Sequence, residues 1–575
     1  MTFQPSIRLH ANASANPVVL ELISNALTSI ANRITGRMIH AAQSGVIKEA
    51  EDCSAAIFDP AGQLLAESHT VPILRNAIRT CMETILSQFF PLGSWADGDA
   101  VVTNDPYAGE GSFSTAHTND FCIIQPVFWE GRIVAFAGMM AHHVDIGSRD
   151  MAGQGWNESI FQEGIRIPPL KIARAGAIDQ NLMAVILNNS RVPEMLEHDL
   201  TAQITCNGKA IEDVLELFAK YGLATMQDSF RALIDYTEER TRAEIARIPD
   251  GTYRSDIPVL DDGSHGGPFF LRIAITKSGT DIAFDFTGTD PQIVGPINAP
   301  LATVWGAVLF TLRCMMDPTI PSTEGCIRPI TVTAPKGSLV NAAKPAAVWQ
   351  RMLVCQSLID LIMTAFDGIG LDRAIADSAG VQYHFLFSRT NTAPLFLGEN
   401  EAGGTGASRL ADGISVVTPH LNNCPLPQVE VLEATSPVRY LRREFRQDSG
   451  GPGRFRGGLG QILQYQVLRS GLTLQYACQK YNFAPRGRGG GNPGATVRLV
   501  INEGTDREIA IDGSNGDHAL EEGDTITLRT PGGGGFGDPR ERDRAAVRAD
   551  VARGYVSVTI ARDIYGLQED PMPAP

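Results

Sequence analysis

Two apolar runs, FCIIQPVF (121–128) and RIVAFAGMM (132–140), are separated only by the tripeptide WEG (129–131). No other feature constrains the chain so tightly. Runs of this length, rich in β-branched and aromatic residues, read as strands, and a three-residue link containing glycine favours an antiparallel hairpin. With its centre near residue 130, position 120 falls roughly opposite 140 and position 117 opposite 143. The flanking segments are AHTND (116–120) and MAHHVDIG (140–147). The hairpin therefore carries His117, His142, His143, Asp120 and Asp145 to one open end.

Two imidazoles and a carboxylate form a recurring ligand set for Zn²⁺, Mn²⁺ or Fe²⁺. His117, Asp120 and His142 are the expected ligands. His143 points to the opposite face while the strand persists, so at most one of the adjacent histidines is a ligand. Asp145 and His143 are the expected general base or orienting partners. The plainer alternative is a set of strand-end histidines satisfied by carbonyls and water. Upstream, TNDPYAG (103–109) reads as a turn entered at Pro106, with Asp105 a secondary candidate for an oxygen ligand.

The rest of the chain reads as multidomain α+β, with the metal-bearing hairpin region among N-terminal helices and a β-rich C-terminal half. At 575 residues it exceeds what one hydrophobic core organises. Expected divisions are an N-terminal α+β domain with the metal site (1–248), a central α/β region (249–430), a β-rich domain (431–539) and a C-terminal helical segment (540–575). Apolar periodicity predicts helices over 16–40, 73–90, 178–247 (with Gly222 as a stop), 300–316 and 350–367. CSAAIFDPAGQLLAES (53–68) predicts two strands about a turn, and the region past 430 predicts a succession of short strands.

A formal charge of −16 without any basic tract excludes a general nucleic-acid or anionic-membrane surface. The nine cysteines are odd in number and form no CxxC pair, which suits a reducing compartment. The first residues lack a basic and then apolar leader pattern, and no stretch approaches the ~20 apolar residues of a membrane span. The cytoplasm is the expected location. DSGGPGRFRGGLG (448–460), PRGRGGGNPG (485–494) and TPGGGGFGDP (530–539) invite a phosphate-loop reading. They lack GxxxxGK[ST] and a strand–helix setting, so tight turns in β structure are expected instead, where glycine permits positive φ and close backbone approach. Ser112, Ser114 and Thr115 lie near His117 without a GxSxG elbow, Cys122 reads as a buried small side chain, and His420 stands isolated.

The stretch TNDPYAGEGSFSTAHTNDFCIIQPVFWEGRIVAFAGMMAHHVDIGS (103–148), followed by IFQEGIRIPPLKI (160–172), resembles the hydantoinase B / 5-oxoprolinase family. The resemblance continues through DFTGTDPQIVGPINAPL (285–301), EGCIRPITVTAPKGSLVN (324–341), DSGGPGRFRGGLG (448–460) and the stretch from TPGGGGFGDPRERD (530–543) to ARDIYG (561–566). That family holds the B-type subunits of ATP-dependent N-methylhydantoinases and lactamases, and the large subunits of acetone- and acetophenone-type carboxylases. The resemblance implies a metal-dependent catalytic subunit of a heteromeric cyclic-amide hydrolase, with ATP and Mg²⁺ on an A-type partner. It implies Mn²⁺ or a similar ion on His117, Asp120 and His142. A ketone carboxylase subunit and a non-catalytic structural subunit are its alternatives. The chain departs from the family at TVPILRN (70–76), where Leu74 replaces a histidine, at RMLVCQS (351–357), which begins on Arg351 and keeps only Gln356 and Ser357 of its polar character, and at VTPHLNN (417–423), which keeps His420 alone.

Overall fold

The computed structural model describes residues 16–109, 111–150, 155–259, 266–367, 369, 374–388, 396–422 and 424–568. The first fifteen residues, read above for a leader, lie outside the described residues. The chain forms two compact units, Met1–Gly153 with Asn157–Arg254 and Ala274–Arg351, and Gln154–Trp156 with Ser255–Ile273 and Met352–Pro575.

The first unit is built on a seven-stranded sheet: β1 (Cys53–Phe58), β2 (Leu64–Glu67), β3 (Ala100–Thr103), β4 (Asp120–Trp129), β5 (Arg132–His142), β6 (Leu170–Arg174) and β7 (Ala177–Ile178). Its order is β2-β1-β5-β4-β3-β6-β7 and every pairing is antiparallel. The β4–β5 hairpin is the middle of the sheet and is buried on both faces along most of its length. That is why its strands read as continuous apolar runs rather than alternating ones. The register differs from the expected one by two residues. The turn is centred between Glu130 and Gly131, since Trp129 pairs with Arg132, and a β-bulge between Val127 and Phe128 shifts the pairing by one more residue, so Asp120 stands directly opposite His142 and Cys122 opposite Met140.

Helices α1 (Pro17–Ala41), α5 (Pro193–Tyr221) and α6 (Leu223–Ala246) cover one face. Leu27, Ile34 and Met38 of α1 and Ala210, Val214 and Phe218 of α5 pack there on Ala137, Met139 and Ala141 of β5. Gly222, at φ +79°, closes α5 and opens α6, as its place after a periodic run predicts. On the other face Ile78 of α3 (Pro72–Thr84) comes close to Gly138, and α3 packs on α7 (Leu301–Met315). Between them lie α2 (Gly45–Lys48) and α4 (Gln180–Leu187).

The second unit holds two antiparallel sheets, formed by 382–388, 396–400, 472–478 and 515–520, and by 438–445, 461–467, 498–501, 509–510 and 525–529. Its glycine-rich segments show the close backbone approach that glycine permits at more positions than the positive φ of tight turns. Gly451, Gly457, Gly458 and Gly533 do not adopt positive φ; among these stretches Gly489, Gly490 and Gly537 do. The former are needed because backbone lies directly on backbone. Gly451 N donates to Gly533 O (2.8 Å), Gly533 N to Gly458 O (2.9 Å) and Gly458 N to Thr405 O (2.9 Å). A Cβ at Gly457 would meet Gly533 O at 1.9 Å. Among the described residues no helix is long and apolar enough to cross a membrane, and the cysteines are free thiols.

Candidate metal centre

The site starts from sheet parity. Residues directly opposite one another on paired strands project from the same face. Asp120 of β4 faces His142 of β5. Cys53 of β1 pairs with Ala141, and His142 N donates to Asp52 O at 3.1 Å, so Asp52 is level with His142. Asp120, His142 and Asp52 thus form a row across three strands. His117 joins the row from the loop before β4, where Asp120 N donates to His117 O at 3.2 Å.

That loop is fixed residue by residue. Thr118 Oγ1 donates to Glu163 O (2.7 Å), Asn104 Nδ2 to Thr118 O (2.6 Å), and Asn119 Nδ2 to His143 O (2.7 Å). Trp349 Nε1 donates to Asn119 Oδ1 at 3.1 Å, and the Trp349 ring meets the His117 ring edge-on at 5.7 Å. The segment that carries His117 is therefore positioned before any ligand arrives.

Donor atoms of His117, Asp120 and His142 all lie within 4.8 Å of one another. His117 Nε2 is 3.1 Å from Asp120 Oδ1, yet Asp120 Oδ1 accepts no hydrogen bond. The pair is close without being aligned, as donors facing a common point are. His117 Nδ1 and His142 Nδ1 are also buried without a partner. Leaving such atoms unpaired costs ~1–3 kcal/mol each, so a cluster of them marks a place where something binds. Burial drives the His117 pKa well below its usual value, with Arg351 adding to the effect, and drives His142 to about 3, with His117 adding. Both imidazoles are neutral and have lone pairs to offer. Burial raises the carboxyl of Asp120 and, with the Asp120 charge, pushes Asp52 up to about 7. A divalent cation would relieve both. These residues fit a metal ion in donor type, protonation and unsatisfied valence.

His143 and Asp145 are held elsewhere. His143 turns to the α5 face, where its Nε2 lies 3.3 Å from Gln203 Oε1 while Gln203 Nε2 binds the carbonyls of Phe121 and Met139. Asp145 is tied to Arg191, accepting from Arg191 Nη1 and Arg191 N at 2.6 Å each. Their hydrogen bonds hold the loop and helix beside the site. Asp105 caps its own turn, accepting from Tyr107 N at 3.0 Å. Cys122 is fully buried, and burial pushes its thiol far up, away from nucleophilic use. His420 sits in the second unit with φ +56°, its pKa lowered by burial to about 4.

Two residues escaped the sequence reading. Asp52 is one; its only signal is the β1–β5 register. The other is Arg351, noted in the sequence only as the start of a segment that departs from the family; its Nη2 stands 3.5 Å from Asp120 Oδ2. Glu163 fixes the loop that carries it, accepting from Val348 N and Trp349 N at 2.8–3.1 Å.

The family model described as Hydantoinase B/oxoprolinase matches residues 16–539. The chain belongs to the hydantoinase B/oxoprolinase family. The B-type subunit of a putative D-/L-hydantoinase from Pseudomonas sp. (strain NS671) is 29% identical, covering 96% of this chain and 95% of that one. The solved ATP-dependent caprolactamase of Pseudomonas jessenii superposes with a TM-score of 0.85 at 25% identity, over 97% of both chains. A solved acetone carboxylase, nucleotide-free, shares the fold (TM-score 0.85, 19% identity, 96% of this chain and 79% of that one). Within the family, this chain spans about two-fifths of the length of relatives named 5-oxoprolinase.

Proposed function

We propose that this chain is the metal-bearing, B-type subunit of an ATP-dependent hydrolase of cyclic amides. One observation carries the reading: three buried, unpaired donors from His117, Asp120 and His142 converge at the end of the central hairpin, in a chain that matches its hydantoinase relative end to end. The relatives named as subunits support a heteromeric assembly, here with an A-type partner that binds ATP and Mg²⁺. The glycine-rich segments of this chain are engaged in backbone packing and leave nucleotide binding to that partner.

An unstrained ring amide is a poor electrophile, which is why activation at the expense of ATP suits this substrate class. His117, Asp120 and His142 would hold a divalent ion, Mn²⁺ or Zn²⁺ by donor type with Fe²⁺ also compatible. Such an ion polarises a carbonyl oxygen and lowers the pKa of water from 15.7 to roughly 7. The chain's own residues supply the rest. The neutral imidazoles present lone pairs, Asp120 and Asp52 supply negative charge, and the Trp349 ring shields the His117 side of the cluster from solvent. The free thiols fit a reducing, cytoplasmic setting.

The test is reconstitution with the A-type partner, ATP, Mg²⁺, a panel of hydantoins, 5-oxoproline and lactams, and labelled bicarbonate. Ring-opened amino acid coupled to ADP release, with no label retained, is expected. His117→Ala and His142→Ala should each leave the chain with sub-stoichiometric metal and abolish turnover. Label retained in a stable acid would instead make the complex a carboxylase. Unchanged metal content and turnover in both variants would remove the cluster from the chemistry.

A further inference from the structure

Arg351 makes too few bonds for a buried cation. Its side chain is 6% exposed, and Asp120 beside it is 1% exposed. A guanidinium carries five N–H donors. Among the described residues Arg351 uses two: Nη1 donates to Trp349 O at 3.1 Å, and Nη2 reaches Asp120 Oδ2 at 3.5 Å. Its Nε is buried with no partner at all. The contact to Asp120 is long and single, unlike the bidentate fork that Arg and carboxylate form when they pair for their own sake.

The backbone around it is fully committed. Glu163 takes the N–H groups of Val348 and Trp349, Arg351 N donates to Val348 O at 3.1 Å, and Gln350 N donates to Pro296 O at 2.8 Å. The guanidinium is thus presented beside the metal donors on a rigid loop, with donors to spare. A divalent cation on His117, Asp120 and His142 offsets the charges of Asp120 and Asp52, so the charge of Arg351 leaves the cluster net positive by one.

We propose that Arg351 is a substrate-binding residue that receives an oxyanion, a carboxylate or a phosphoryl oxygen, at the metal cluster. The inference rests on the cyclic-amide reading above only for the source of that oxyanion. It is either a carboxylate borne by the ring or the phosphoryl group that activation by ATP attaches to the substrate. Arg351 sets specificity in the first case and recognises the activated intermediate in the second.

Equilibrium binding without ATP or turnover separates these outcomes and leaves the hydrolase reading untouched. The full-length chain, as purified and after chelation, is titrated calorimetrically with 5-oxo-L-proline, with 2-pyrrolidinone (the same ring without the carboxylate) and with inorganic phosphate. Arg351→Met and Arg351→Lys are titrated alongside, their fold checked by circular dichroism and their metal content measured. A charge-assisted hydrogen bond corresponds to about tenfold or more in affinity. Tighter binding of 5-oxoproline than of 2-pyrrolidinone, with the difference lost in Arg351→Met, assigns the oxyanion to the substrate carboxylate. Phosphate binding lost in that variant, with the two lactams alike, assigns it to the phosphoryl group. Arg351→Lys keeps the charge without the fork and should fall between wild type and Arg351→Met; should Arg351→Met fail to fold, a severalfold loss in Arg351→Lys decides. Anion affinities within twofold of wild type in the folded variants, or no anion binding by wild type, overturn the proposal.

Discussion

Glu163 shows how one buried residue couples the site to stability. Its carboxyl is fully buried and accepts from Val348 N and Trp349 N, so it holds the loop that brings Trp349 and Arg351 to the cluster. Burial raises its pKa to about 8, against the opposing hydrogen bonds and Arg351. The sign follows directly. Between the ordinary value of 4.5 and about 8 the folded chain keeps this proton and the unfolded chain has lost it. Stability therefore falls as pH rises through that window and levels off above it. Glu163→Gln keeps an Oε1 acceptor for both N–H groups and cannot ionise. Urea midpoints measured from pH 5 to 8.5 should decline less steeply in the variant than in wild type. Parallel declines would mean that Glu163 is already ionised at the lower end.

At the scale of the element, the hairpin decides what was legible. Its existence follows from two apolar runs and a glycine link, and its open end gathers His117, Asp120 and His142 as expected. Its register does not follow, because neither the exact centre of the turn nor the bulge at Val127/Phe128 leaves a trace in the apolar pattern. The places of Asp52 and Arg351 at the site do not follow for a different reason. Asp52 enters through the β1–β5 pairing and Arg351 through a contact spanning 231 positions, and local periodicity reports neither. His143 and Asp145 are expected as base or orienting partners because they sit among ligand types; in space His143 lies against Gln203 and Asp145 pairs with Arg191, contacts that no local pattern reports. The hairpin also explains Gly138, midway along β5. A Cβ there would lie 2.7 Å from Ile124 Cδ1, 2.9 Å from Ile78 Cγ2 and 3.2 Å from Phe58 Cε2. Three neighbours from β4, α3 and β1 would have to give way, and overpacking of this kind costs about 1–3 kcal/mol. Gly138→Ala should lower the unfolding free energy by that amount in urea titrations, while metal stoichiometry at low temperature stays at the wild-type value. An unchanged unfolding free energy would show that the Ile124 and Ile78 rotamers relax freely.

At the scale of the molecule, the two units are held together by different physics. The first unit follows the familiar arrangement of amphipathic helices on an apolar sheet, and hydrophobic periodicity exposes most of it in the sequence. Part of the second unit has no such signature, because its contacts are backbone on backbone and its dominant residue type there is glycine. Gly533 is the most telling position. Its Cβ would stand 1.9 Å from Thr405 O and 2.2 Å from Thr405 C, and no side-chain rotation relieves a clash with a peptide group. Its N–H and C=O also connect Gly458 and Gly451. A methyl group at this point must separate 405–406 from 532–534, which breaks hydrogen bonds on several segments together. Hydrogen exchange followed by peptide mass analysis reads this directly. In Gly533→Ala the peptides holding 404–406, 449–460 and 530–536 should lose protection together, as one cooperative patch. Gly504→Ala is the control: no atom crowds its Cβ, and its positive φ should cost only a local strain. Loss of protection confined to 530–536 in the Gly533 variant would mean that these segments are held one by one rather than as a single lattice.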